Sequence, residues 1–310
     1  MQDKPFLTID EQVQLLASRG VAVDKDTADI LLREGYYSVV NGYKDPFIDP
    51  EKTAEAGDDR FAEGTRFADI YALFLFDRDL RETTFHYLLR VEALVRTVCA
   101  YTFAEHHEDH DDYFLQSSFA TEEEYLSFGL RNYLDNLHKL HDALHRVINH
   151  PRNEAIEHYR NEYGKVPVWV VMNVLTFGNI EHFFNLMKPA EQQTVCRRIA
   201  QMPHFSKIGY LEPAKMRRSL DVLVKFRNKC AHDERLYCAT VDHRNPVDFL
   251  GCIQHASLFL SQADSLGFIS NTIDLVTDYA RQSGPLQHVM DRTGLSRLGE
   301  RKVEEVLSGP

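Results

Sequence analysis

From Arg66 to Glu105 the chain runs through forty consecutive residues without a glycine or a proline. Apolar residues recur along it at helical spacing: Ile70, Leu73, Phe74, Leu80, Leu88, Val91, Leu94, Val95 and Val98. With nothing to break it, such a stretch is one long helix or two in succession. A stripe of that length has to be covered by other helices, so this one segment already points to a helical bundle.

The rest of the sequence agrees. Helical patterning marks 10–19 and 26–34, then 122–148, 152–163, 170–187, 191–201, 213–236, 246–266 and 271–281. Strand-type alternation is scarce, and no internal repeat is found. The aromatic stretch 36–50, broken by Gly42, Pro46 and Pro50, is expected to be irregular, and the small, polar residues 49–64 read as a linker. The expected class is therefore all-α. Residues 1–60 form a small N-terminal helical and irregular appendage, 61–283 the helical body, and 284–310 a polar tail with room for one loosely packed helix.

A hydrophobic share of 44% and a charged share of 26% are those of an ordinary soluble protein. No apolar run approaches the ~18–20 residues that span a bilayer, and Met1-Gln2-Asp3-Lys4-Pro5 lacks the basic and apolar regions of a secretory signal. The five cysteines, 99, 196, 230, 238 and 252, are scattered and form no Cys-x-x-Cys pair, which fits reduced thiols in a cytoplasm. A cytoplasmic protein with no membrane partner is expected.

Net charge is −12, unfavourable for a protein that meets phosphate. Its distribution is uneven. Between Arg197 and Arg235 stand ten basic residues and four acids, giving +6 and leaving −18 for the rest. A basic patch in an acidic body draws an anion to one place; a solvated basic helix face is the plainer alternative.

On a helical wheel, Leu220, Leu223, Val224, Phe226, Cys230, Ala231 and Tyr237 form a core face. Asp221, Lys225, Asn228, His232 and Arg235 form a polar stripe opposite, at spacings of four and three. Arg227 lies in the apolar sector, about 140° from His232 at 100° per residue. A guanidinium cannot shed its charge there. It must pair with an acid such as Glu92 or Asp77, reach solvent at a seam, or face an anionic ligand.

Cleaving RNA through its own 2′-hydroxyl needs a base, an acid and a group that steadies the phosphate. Imidazole titrates near neutrality and serves as either acid or base. A guanidinium holds phosphate through two parallel hydrogen bonds. The reaction needs no metal or other cofactor, and DNA escapes it for want of the nucleophile. One histidine per chain supplies only one of acid and base, so a symmetric dimer that joins two copies would supply both.

At these residues the chain resembles a known family. Arg227-Asn228-Lys229-Cys230-Ala231-His232 fits the Arg-x(4–6)-His signature of HEPN domains, in the form found in Abi-like (AbiD/AbiF) bacterial abortive-infection proteins. Collinear blocks extend the likeness over about 4–240: Lys4-Pro5-Phe6-Leu7, Glu11-Gln12, Ser18-Arg19-Gly20, Gly35-Tyr36-Tyr37, Gly42-Tyr43, Phe76-Asp77-Arg78-Asp79-Leu80-Arg81, Arg90-Val91-Glu92, Leu94-Val95-Arg96, Pro167-Val168-Trp169 and Leu175-Thr176-Phe177-Gly178. The resemblance implies a HEPN-like bundle that defends against phage as an RNA-cleaving toxin. It implies a homodimer with motifs meeting at the interface, and control by an antitoxin or a small regulatory RNA. By position, Arg227 and His232 are the catalytic pair, and Asn228 orients the imidazole or the phosphate. RNA would be bound by Lys225, Lys229, Arg235, Arg217 and Arg218, with Arg78, Arg81 and Arg96 extending the groove. Some HEPN homologues keep the fold without cleaving, so the rival expectation is a non-catalytic RNA- or protein-binding module.

Other clusters read as structure. The run 105–112, rich in His and acids, is expected to be a solvated loop, and His138, His141 and His145 an exposed helix face. Cys230, His232, Cys238 and His243 are badly spaced for zinc, so no metal is expected. Asp77, Arg78, Asp79 and Arg81, ahead of Glu92 and Arg96, are either ion pairs of the bundle or a support for Arg227. Trp169 is expected to anchor the core.

Overall fold

The computed structural model describes residues 5–109, 111–202, 209–282 and 285–299. The long stretch forms a single helix, α4 (Phe67–His106), and the other elements are laid around it. Before it come α1 (Ile9–Ser18), α2 (Thr27–Glu34) and α3 (Pro50–Ala56). After it come α5 (Glu122–Ser127), α6 (Tyr133–Asn149), α7 (Glu154–Tyr163), α8 (Val168–Val171), α9 (Phe177–Leu186) and α10 (Pro189–Ala200). The chain ends in α11 (Pro213–Ala231), α12 (Phe249–Ser257), α13 (Gln262–Ala280) and α14 (Leu286–Thr293). Among the described residues there is no strand, only three isolated bridges, so the fold is all-α. No described helix is long and apolar enough to cross a membrane.

Helix α4 buries residues nearly along its whole length because it is packed by α8, α9, α10, α11 and α13. On α13, Gly267 makes close approach possible: a Cβ there would lie 2.8 Å from the Tyr87 hydroxyl. Tyr87 stacks on Phe268 with ring centroids 4.6 Å apart. Helix α11 packs against α4 on one side and against α9 and α12 on the others. A buried hydrogen bond joins Ser219 Oγ of α11 to His255 Nδ1 of α12 at 2.8 Å. Burial pushes that imidazole down to about 4, with Arg218 and Lys215 adding to the effect.

Where the structure departs from the sequence patterning, local caps decide. The stretch 49–64 contains α3: Asp49 accepts from the Lys52 amide at 3.1 Å, and Pro50 occupies the first turn. It is tied down further by Arg19 on Asp58 at 2.6 Å and by the buried Phe61. The segment 122–148 divides into α5 and α6 at Gly129, which has φ +78. The segment 170–187 divides because Thr176 caps α9, accepting from the Asn179 amide. Ser261 likewise caps α13, moving the break between the last two long helices from 267–270 to 258–261.

Trp169 is 45% exposed, not a core anchor; Val168, Val170 and Val171 take the buried places of α8. The tail carries α14, which buries Val289, with Arg297 on Asp248 at 2.7 Å just after it. Gly284 and 300–310 lie outside the described residues, as do His110 and Lys207.

Candidate active site

Of the core face expected on helix α11, Leu220, Leu223, Val224, Phe226 and Tyr237 are buried and Cys230 is half-buried, but Ala231 is exposed because the helix ends there. It stops at Ala231, five residues earlier than the periodicity predicts. His232 takes the capping position, with its amide still bonded to the Asn228 carbonyl at 3.0 Å. Asp233 then adopts a left-handed conformation at φ +56, and the Glu234 amide donates back to the Lys229 carbonyl at 3.0 Å. This is a Schellman-type stop, with Asp where Gly is usual.

An aspartate holds this turn because its surroundings fix it. Arg81 of α4 binds the Asp233 carboxylate. Asp77, fully buried one turn earlier on α4, accepts from the amides of Leu236 and Tyr237 at 3.0 and 2.6 Å. Asp77 also accepts from the Tyr43 hydroxyl at 2.7 Å and from Arg81 at 2.9 Å. Burial pushes its carboxyl up, against the opposing pull of Tyr43, Arg81 and the two amides. Asp77 and Arg81 therefore clamp the chain just past the motif, and neither makes a hydrogen bond or ion pair with Arg227 among the described residues.

Glu92 is the residue that supports Arg227. Its Oε2 lies 3.4 Å from Arg227 Nε, while Oε1 accepts from Arg96 at 2.7 Å. The Arg227 guanidinium also lies over the Phe85 ring, 5.6 Å from its centroid. Arg227 Nε and Glu92 Oε2 are buried without a hydrogen-bond partner, although the side chain of Arg227 as a whole is 22% exposed. Arg227 thus sits at the seam of α4 and α11, held by charge but with donor capacity left.

His232 is exposed at the end of α11. The helix is unbroken from Arg227 to Ala231, so the angular separation of about 140° read from the wheel applies to the backbone positions of the two residues.

The other cations divide among several places. Lys225 and Lys229, with Asn228, line a cavity of about 570 Å³ on the stripe side. Each lysine has an acid, Asp221 and Glu234 respectively, both at 2.7 Å. Arg218 approaches Asp242 at 3.7 Å. Arg235 leaves the stripe because the helix has ended, and it donates to the Gly42 carbonyl at 2.8 Å. With Arg81 it lines a smaller cavity of about 210 Å³. Arg217 is turned to Gln192 and the Phe128 ring, and Arg78 to Glu34 at 2.6 Å, fastening α2 to α4. Arg96 borders a groove of about 600 Å³ with Tyr101 and Trp169.

The clusters expected to be structural depart from expectation at His107 and His141. His107 is not solvated; its Nε2 lies 2.8 Å from buried Glu191 and its ring stacks on Phe103. His138 and His145 are exposed, while His141 is half-buried and burial lowers its pKa. Burial pushes the Cys230 thiol up to about 12. Among the described residues no group of three or more His, Cys, Asp or Glu is placed to hold a metal. The loop after Cys238 contributes Thr240, His243 and Arg244 to the cavity beside Asn228. Sequence reasoning missed that contribution, since the basic segment closes at Arg235.

No curated protein and no solved structure matches the chain. Residues 29–238, from α2 to just beyond the clamped turn, match the family described as Abi-like protein. That span is more than half of the chain and contains both Arg227 and His232, and the protein belongs to the Abi-like family.

Proposed function

We propose that this protein is an abortive-infection ribonuclease of the HEPN type, acting on RNA as a toxin in defence against phage. The carrying observation is the state of Arg227. A permanently charged guanidinium sits at a helix seam opposite a carboxylate shared with Arg96, with one buried N–H unsatisfied and part of the side chain open. A purely structural arginine would be expected to take both carboxylate oxygens at hydrogen-bonding distance. Nε itself is buried against Glu92, but the side chain is 22% exposed and makes no hydrogen bond among the described residues, so its outer nitrogens are left for an anion, as phosphate binding requires.

In this reading Arg227 binds the scissile phosphate and stabilises the charge that builds on its oxygens. His232, exposed at the end of α11, moves one proton, from the attacking 2′-hydroxyl or to the departing 5′-oxygen, and solvent water moves the other. Asn228, one turn before His232, orients the imidazole or the phosphate. The products carry 2′,3′-cyclic phosphate ends. Since Glu92 holds Arg227 at the α4–α11 seam, and His232 follows about 140° further round the helix at 100° per residue, the working unit in this reading is a homodimer in which one protomer's Arg227 meets its partner's imidazole.

The test is cleavage of single-stranded RNA by purified protein in EDTA, with analysis of the new ends. Arg227→Ala and His232→Ala are each expected to lower the rate at least about a hundredfold, the scale for losing a positioned donor or a general acid–base. Both are also expected to relieve growth inhibition on expression. Wild-type cleavage by both variants would remove the site.

A further inference from the structure

The stripe side of α11 does not face open solvent alone. Past Cys238 the chain folds back beside it and turns tightly: Val241 and Val247 exchange two backbone hydrogen bonds of 2.9 Å. Asp242, at φ +64, accepts from the amides of Arg244 and Asn245 at 3.1 and 3.4 Å. Val241 and Val247 are both buried, so the base of the turn is anchored, while its tip displays His243 and Arg244 to solvent.

The cleft between this turn and α11 is lined by Lys225, Asn228 and Lys229 on one wall and by Thr240, His243 and Arg244 on the other. Its volume of about 570 Å³ falls within the range of small-ligand pockets, ~300–1,000 Å³. The acids nearby are engaged: Glu234 with Lys229, Asp221 with Lys225, and Asp242 with the turn's own amides. Arg244 and His243 are different, as neither side chain has a hydrogen-bond or ion-pair partner among the described residues. A guanidinium, an imidazole, a hydroxyl and an amide thus converge on one concave space that opens beside the motif.

We propose that this cleft holds the nucleotide that flanks the cleaved bond of a single-stranded RNA. Arg244 and Lys225 take its phosphate, and Asn228, Thr240 and His243 meet its base and sugar. This rests on the ribonuclease reading for the identity of the ligand as RNA. The strand must be single because a base can enter such a cleft only when it is splayed out of a helix. Amide and hydroxyl groups offer hydrogen bonds to a base edge, and an imidazole offers a stacking face. The residues of the turn bind and do not react, so their loss acts on KM and leaves kcat in place.

Fluorescence anisotropy with a short, fully 2′-O-methylated RNA reads binding without cleavage, because the nucleophile is blocked. Arg244→Ala and Lys225→Ala are each expected to weaken binding about tenfold at low salt. Each should flatten the dependence of log K on log salt by about 0.7, the contribution of one single-strand phosphate. His243→Ala is expected to weaken binding without altering that slope. Arg281→Ala, on the exposed end of α13 and paired with Asp278, is the control expected to change neither. Wild-type affinity and slope in the Arg244 and His243 variants overturn the cleft, even in a protein that cleaves RNA. A wild-type protein that does not bind the methylated RNA overturns it too. Binding with these dependences, but no cut in unmodified RNA in EDTA, upholds the cleft and removes the ribonuclease.

Discussion

Arg227 shows why the pairing of a charge matters more than its burial. Glu92 is almost wholly buried, so its carboxylate must be compensated, and two guanidiniums approach it. Arg96 takes one oxygen at hydrogen-bonding length, leaving Arg227 a looser contact. Glu92 therefore positions Arg227 without saturating it. Glu92→Gln keeps the shape and removes the charge. Because both arginine side chains are about one-fifth exposed, the stability cost should fall below the ~3–5 kcal/mol of a fully buried broken pair, at about 1–3 kcal/mol by urea unfolding. Cleavage should fall further than stability explains, with kcat lowered under conditions where the variant remains folded. A variant that loses stability yet cleaves at the wild-type kcat would make Glu92 a structural ion pair and nothing more. The neighbouring Phe85 adds an aromatic face but no acceptor, so it cannot replace that carboxylate.

Helix α11 gains its fixed orientation from seams on several sides, and one of them is sensitive to pH. Across from its stripe, Glu181 of α9 is pushed up to about 7, chiefly by burial and then by the charge of Asp221. The folded state holds this proton more tightly than the unfolded chain does, so the carboxyl costs nothing below the ordinary carboxylate range. Its cost grows as the pH rises through about 7. Between pH 5 and pH 8 the wild type should lose about 2–3 kcal/mol relative to Glu181→Gln, at ~1.4 kcal/mol for each tenfold difference in proton affinity between the folded and unfolded chain. Urea midpoints at the two pH values measure this difference, and parallel curves for the two proteins would dismiss the effect. At this same scale the sequence was legible in part. Helical periodicity located α4 and the core face of α11 because both depend on local spacing. It overran α11 by five residues because the stop is imposed from a distance: Arg81 on Asp233, and Asp77 on the amides of 236 and 237. The wheel accordingly misplaced Arg235, which left the stripe when the helix ended. That Arg227 needs an acid was legible, with Glu92 and Asp77 both open; the structure gives it Glu92 and commits Asp77 to the turn. The His243–Arg244 wall was not legible, since nothing in the local pattern says that a loop will fold back beside the motif.

At the scale of the molecule, the chain outside 197–235 carries −18 and that segment +6, so under the proposed function a productive encounter with RNA is expected at the motif. In that reading the chemistry comes from two directions. Arg227 is anchored toward α4 through Glu92, and His232 is exposed at the capping position of α11, about 140° further round at 100° per residue. If the reactive centre is composite, Arg227→Ala still carries a good imidazole and His232→Ala still carries a good guanidinium. Each pure variant is inactive, because every site it forms lacks one part. An equimolar mixture, once subunits exchange, contains about half heterodimers, and each heterodimer has one complete site and one lacking both parts. The mixture is therefore expected to recover about a quarter of the wild-type cleavage rate, with the gain appearing on the timescale of subunit exchange. A centre built within one chain gives a different result, since no arrangement of the two variants restores both residues to one protomer. A mixture that stays as inactive as its components, in wild-type-like dimers shown to exchange subunits, would rule out the shared site and require Arg227 and His232 to converge within one chain.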